Sequence, residues 1–430
     1  MSRVLLLAAS LLWAGSARAL QPIGDFVEGA ESTHPELLEA NAVREQRVAE
    51  TKTATWRLLP TFTAAGSYTR NQIQFDVAFP GLPGPLPIIA ENQLDASLKL
   101  SVPIINVAAW EAKGASSAQL ELATANTEVV RQDLKRRVAR SYYQLVATSA
   151  VRQAAEQSLT LAKESATIAR TKRDNGAATE LEVERATADV ARAEQDVTAS
   201  ALAETLAHHE LYSLSGMTPT PAWDFPADDL RPEAPLPAWT SRVDSVPALD
   251  AARAAQRAAQ KQSSAAKSWL YPVVTGSAEE RFTNATALFA GNEALYAFKV
   301  NLVWTVDGAS YHTSRAAQAQ TTVVEARELQ SRRQVEDGIF AAWHQVAAGV
   351  ERAHAARRQA EAATRASALA QTQYQEGMAT QLDVLSARQT AFAAEVGRIQ
   401  ADADLGYCRA LLRILAAREL GSLGPKDESP

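Results

Sequence analysis

Two short segments carry the side chains with the most chemical content. Residues 173–186 read RDNGAATELEVERA and residues 374–387 read YQEGMATQLDVLSA, 201 positions apart. Each has a glycine (Gly176, Gly377), a threonine three residues on (Thr179, Thr380) and an acid three further (Glu182, Asp383). Thr-x-x-Glu is the spacing of a helix capping box, in which hydroxyl and carboxylate satisfy free N–H groups of a first turn. Asp383 is the weaker fit, since the box normally takes Glu or Gln. Acids there also complement the helix macrodipole. A glycine closing a helical run suits a left-handed C-terminal stop. Both segments therefore read as tight helix–turn–helix junctions.

The remaining reactive side chains are poorly placed for chemistry. His208 and His209 are adjacent on a helical run and face different directions; His344 and His354 are ten apart. Neither pair makes a metal site. Cys408 is the only cysteine, which excludes an intrachain disulfide and a cysteine-based zinc site. It lies in an apolar helix end, where a buried, inert thiol is expected. No nucleophile elbow, phosphate loop or HExxH occurs, so no catalytic residue, cofactor or metal is expected. Net charge is −6, with 49 acidic and 43 basic residues. Such a balance lacks the basic footprint of nucleic-acid binding.

The elements that hold the two junctions are legible from composition. Residues 1–19 have a signal-peptide pattern: Arg3, an apolar run from Val4 to Trp13, then Ala17-Arg18-Ala19. Export follows, with the mature chain beginning at Leu20. Residues 35–57 read as a helix. Residues 61–79 are rich in Thr, Phe, Tyr, Ser and Val, and PGLPGPLP follows, which suits neither helix nor central strand. From Leu94 to Val102 apolar and polar residues alternate, giving a strand with one face of each kind. Residues 104–174 contain no proline and only Gly114, a composition that favours one helix of roughly 100 Å. A second helix covers 179–215, where Val183, Ala186, Val190, Ala193 and Val197 form a seam of small residues in heptad spacing.

After a proline-rich connector the order recurs. A helix spans about 245–267, Pro272 opens a strand region, and a second strand starts at Asn292. Helices follow over 308–376 and 380–418. Pro103 to Asn106 aligns with Trp304 to Asp307 at an offset of 201, yet the apolar strand faces align at 202. A bulge or a one-residue slip at the strand–helix junction would explain the difference. The domain reading is a signal peptide at 1–19 and a first repeat at 20–217, with its β-hairpin over about 61–103 and helices over about 104–215. A connector at 218–244 leads to a second repeat at 245–418, with its β-hairpin over about 272–306 and helices over about 308–418. The tail, 419–430, is expected to be disordered.

Past residue 20 no run of eighteen apolar residues exists, so entry into a membrane would require a β-barrel. Two hairpins supply four strands, too few to close a barrel with a lumen. Closure across several copies in an outer membrane is the economical outcome.

At this point the chain resembles the TolC-like outer-membrane efflux proteins over nearly its whole mature length. The resemblance rests on Leu58-Leu59-Pro60 and Leu270-Tyr271-Pro272, on VPIINVAA and VWTVDGAS, on YYQLVA, and on NGAATELEV and EGMATQLDV. It implies a mostly α fold with β: a twofold repeat of β-hairpin and long helical hairpin, assembling as a homotrimer. A twelve-stranded barrel in outer-membrane lipid and a periplasmic helical tunnel are implied too. So are a periplasmic adaptor (membrane fusion protein) and an inner-membrane pump as partners. The resemblance places an aspartate ring at Asp383; in a trimer Asp383 and Glu182 would ring a channel constriction, cation-selective and pH-sensitive, or serve as helix caps, and the two roles can coexist. Gly176, Thr179, Gly377 and Thr380 form the turns that an adaptor meets. Departures are Trp304 where the first copy has Pro103, Asn106-Val107 against Asp307-Gly308, and Ser386 where the family often has a second acid. The expected function is a passive outer-membrane conduit of a tripartite efflux or type I secretion system. The rival reading is a periplasmic coiled-coil structural or adaptor protein, in which the strands form a soluble sheet.

Overall fold

The computed structural model describes residues 20–78, 85–220, 228–284 and 294–418. The expected signal peptide, the tail, the strand start at Asn292 and part of the proline-rich hairpin tip lie outside these residues. Elements follow in the order α1 (Ile23–Thr33), α2 (Pro35–Trp56), β1 (Thr61–Arg70), β2 (Phe75–Val77), β3 (Leu86–Ile89), β4 (Asn92–Ile105), α3 (Val107–Asp174) and α4 (Glu180–Ser215). The second half brings α5 (Leu236–Thr240), α6 (Pro247–Ala266), β5 (Val273–Thr283), β6 (Ala294–Val303), α7 (Gly308–Gln375) and α8 (Gln381–Leu415). The chain is mostly helical with a smaller share of strand. Helices α3 and α7 are 68 residues each, as runs of Ala, Glu, Gln and Arg without proline allow. Among the described residues no helix is long and apolar enough to cross a membrane.

The fold divides into two compact units. One holds Asn41–Asn126 and Ala251–Gln330, and so contains the strands. Its main sheet has the order β1-β4-β5-β6, antiparallel throughout, with β1 and β6 as edges. Register places Leu94, Ala96, Leu98, Leu100 and Val102 of β4 on one face with Phe62 and Tyr68 of β1 and with Tyr296, Phe298, Val300 and Leu302 of β6. This apolar face is bare: Phe298 is 79% exposed. The opposite face carries Thr, Ser and most of the charged residues; Glu280 of β5, between Leu98 and Tyr296, and Arg70 at the end of β1 lie on the apolar side. The ladder between β4 and β5 shifts register between Pro103 and Ile105. That irregularity lies at the first strand–helix junction, where the sequence offsets change from 202 to 201.

The first hairpin, expected over about 61–103, is not one continuous pair of strands. The chain leaves the main sheet after Arg70, and β2 and β3 form a separate two-stranded ribbon. Pro87 sits in β3, which is an edge strand, where its missing N–H breaks no central ladder.

The other unit holds the described parts of 1–40, 127–250 and 331–430, and so both helical-hairpin turns. Its packing relies on small residues. Ala166 and Ala169 of α3 meet Val183 and Ala186 of α4, the start of the expected seam. Gly406 of α8 lets Tyr143 of α3 come close; a Cβ there would lie 2.5 Å from Tyr143 Cε1. Helix α1 has no counterpart in the sequence reading. It buries Phe26 and Ala30 against Leu134, Val138, Ala207 and Leu211.

The connector is more ordered than its prolines suggested. Beyond residues 221–227, which are not described, it forms α5 and a 3-10 turn. Trp239 of α5 is fully buried against Ile339, Val346 and Leu405. The indole N–H groups of Trp239 and Trp343 both donate to the carbonyl of Ala234, at 3.2 and 2.9 Å. Buried Arg409 of α8 pairs with Asp228 at 2.8 Å and with Glu233, and donates to the Arg231 carbonyl at 2.7 Å. Nearby Cys408 is half-buried rather than enclosed, and desolvation pushes its thiol up.

Candidate functional site at the helical-hairpin turns

Both turns are built by the same local rules. Helix α3 ends in a Schellman motif: Ala177 N donates to Lys172 O at 2.7 Å and Gly176 N to Arg173 O at 2.8 Å. Helix α7 ends likewise, with Met378 N to Gln373 O at 2.8 Å and Gly377 N to Tyr374 O at 3.1 Å. The motif needs a left-handed residue, and Gly176 and Gly377 supply φ of 73° and 79°. Three residues after each glycine the chain reaches the N-cap of the next helix, which carries a complete capping box.

The two boxes are not equal. Thr179 N donates to Glu182 at 3.3 Å, and Glu182 N donates to the Thr179 hydroxyl at 3.4 Å. Thr380 N donates to Asp383 Oδ2 at 2.9 Å, its hydroxyl donates to the same oxygen at 2.6 Å, and Asp383 N donates to that hydroxyl at 3.3 Å. The Asp383 box, expected to be the weaker fit, therefore has the shorter carboxylate bonds. The Thr380 hydroxyl first, then its N–H, hold the Asp383 carboxyl below the usual range. Both acids remain exposed. A carboxylate so bound is a fixed negative charge in water, suited to attracting cations and not to proton transfer.

The turns are also tied to each other by residues that sequence reading passed over. Tyr374, one turn before Gly377, is 3% exposed. Lys172 Nζ, at the end of α3, lies 4.0 Å from its ring centroid and donates to its carbonyl. Burial, and next the charge of Glu182, raise the Tyr374 phenol. Gln381 Nε2 of α8 donates to Ser165 Oγ of α3 at 3.2 Å. Arg388 of α8 pairs with Asp189 of α4 at 2.9 Å, with both side chains 9% exposed. Leu181, Met378 and Leu382 remain exposed around the turns. The sequence signal for these ties is slight, because every partner pair is separated by about two hundred residues.

Two long helical hairpins joined to an antiparallel sheet with a bare apolar face define an outer-membrane efflux channel fold. The family model described as Outer membrane efflux protein matches residues 27–217 and 243–416, and the chain belongs to that family. It is thus an efflux protein of the outer membrane, and the family is one of transport conduits rather than enzymes. This favours the conduit over the coiled-coil adaptor reading.

Solved structures show the same fold at low identity. The outer membrane protein VceC from Vibrio cholerae is 18% identical, with a TM-score of 0.77 over 92% of this chain and 96% of that one. The CmeC outer membrane channel of Campylobacter jejuni is 15% identical, with a TM-score of 0.79 over 96% and 94%. The open-state MtrE outer membrane channel of Neisseria gonorrhoeae is 16% identical, with a TM-score of 0.75 over 93% and 90%. Comparison with curated proteins finds no match.

Proposed function

We propose that three copies of this chain close one outer-membrane barrel, each giving β1, β4, β5 and β6, and that their helical hairpins form a passive conduit through the periplasm. The observation that carries this reading is the open sheet. Among the described residues its edges β1 and β6 are unpaired, and its apolar face is exposed. An unpaired edge is an association hazard in water and forbidden in lipid, and closure between copies removes both problems. Exposed Tyr68 and Tyr296 suit the aromatic girdles of such a barrel. On this reading 20–217 and 245–418 are the two efflux repeats, joined by 218–244.

At the turns, three Asp383 and three Glu182 would crowd one aperture and give it a preference for cations. Gly176, Thr179, Gly377 and Thr380 would present the tight tips that a periplasmic adaptor meets, with exposed Leu181, Met378 and Leu382 as apolar anchors. An inner-membrane pump would supply the energy.

The test is the mass of the detergent-extracted outer-membrane species, measured without boiling. A species of three chains is expected. A single chain released from washed membranes by salt would mean that the strands never enter lipid, and the conduit reading would fall.

A further inference from the structure

The polar face of the main sheet has an unequal charge balance. Register puts Asp95 and Lys99 of β4, Glu279 and Arg281 of β5, and Lys299 of β6 on that one face. Among the described strand residues these are its charged side chains; β1 offers Thr61, Thr63, Ala65, Ser67 and Thr69 there. Two ion pairs neutralise four of the five. Arg281 donates to Asp95 from Nη2 at 2.7 Å and from Nε at 3.3 Å. Lys299 Nζ lies 3.2 Å from Glu279. Lys99 stands directly across from Glu279 but is exposed and makes no ion pair among the described residues. Three cations against two anions leave one positive charge per chain.

We propose that Lys99 is a specificity-determining residue that makes the strand-lined part of the conduit an anion-attracting band. The inference rests on the reading that the apolar face meets lipid and the polar face lines the lumen. Three chains then place three uncompensated ammonium groups around one water-filled passage. Charges of one sign on low-dielectric walls concentrate counter-ions. The acids of the turns favour cations, so the conduit carries two zones of opposite preference. A solute bearing carboxylate, sulfonate or phosphate groups is the class that Lys99 favours. The field reaches across a lumen only when screening is weak: the Debye length is about 30 Å at 0.01 M salt and about 3 Å at 1 M.

The test uses the full assembly in a planar bilayer, with inorganic tripolyphosphate as the probe, added to each chamber in turn. In about 0.01 M salt the probe should reduce conductance, and in about 1 M salt it should not. Lys99→Gln should raise the half-blocking concentration at least about threefold, a modest share of what focused fields achieve. Lys99→Arg should restore block, and Glu279→Gln should strengthen it. Conducting channels whose block is the same in wild type and Lys99→Gln would overturn the band while leaving the conduit standing. Absence of any conductance from correctly inserted protein would overturn the lumen reading, and the band with it.

Discussion

In the proposed assembly Asp383 combines two roles that a single substitution can separate. Its carboxylate caps α8 through Thr380 and, in the proposed assembly, charges the aperture. Asparagine can accept the same bonds but carries no charge. Asp383→Asn should therefore leave the melting temperature close to wild type and lower the cation preference read as a reversal potential. Asp383→Ala should lower both. An unchanged reversal potential in both variants would remove the charged aperture and leave only the cap. The pH dependence follows from the direction of the shift. A carboxyl depressed in the folded state contributes its full cap above the unfolded value and loses it as pH falls through the folded value. Cap and charge should hold from pH 8 to pH 5 and fail only below about pH 4, where carboxylates titrate. Cation preference already lost at pH 6 would mean that crowding among the acids outweighs the Thr380 bonds. The acid and the threonine were visible from spacing alone. Tyr374, Arg388 and Asp189 were not, because their burial is created by helices that meet only after folding.

Helices, strands and turns were the most legible part of the molecule. Each has a period or a stop signal contained within a few residues. Alternation over 94–102 belongs to β4, and Gly176 and Gly377 end α3 and α7 where left-handed stops were expected. Three elements escaped because their reasons are remote. Helix α1 is held by Phe26 beneath α3 and α4, α5 by the pocket around Trp239, and the β2–β3 ribbon by pairing across the hairpin. The YYQLVA segment acquires a physical meaning at this scale, since Tyr143 fills the space that Gly406 leaves open. Gly406→Ala should destabilise the protein by about 1–3 kcal/mol through overpacking, despite alanine's better helix propensity. Gly397→Ala, at an exposed position of the same helix with nothing near the new Cβ, should instead stabilise it by about 0.5–1 kcal/mol. Thermal melting in detergent compares the two. Equal shifts in the same direction would mean that Tyr143 can move aside freely.

For the molecule as a whole, the proposed assembly completes an open sheet with a bare apolar face, and the three-chain mass is the expected outcome. The tie between Arg409 and the connector has a different consequence, one that concerns biosynthesis. Asp228 and Glu233 wait for a partner 181 and 176 residues further along the chain. While the polypeptide is still emerging on the far side of the inner membrane, two carboxylates and the Trp239 side chain lack their final cover. A chain that stops short of Arg409 keeps them that way. An unfinished copy is therefore expected to offer proteases a cleavable middle. Limited proteolysis of a chain ending at residue 400 should cut within 228–245, a segment that the full-length protein should protect. Equal protection in both would show that the connector closes without Arg409.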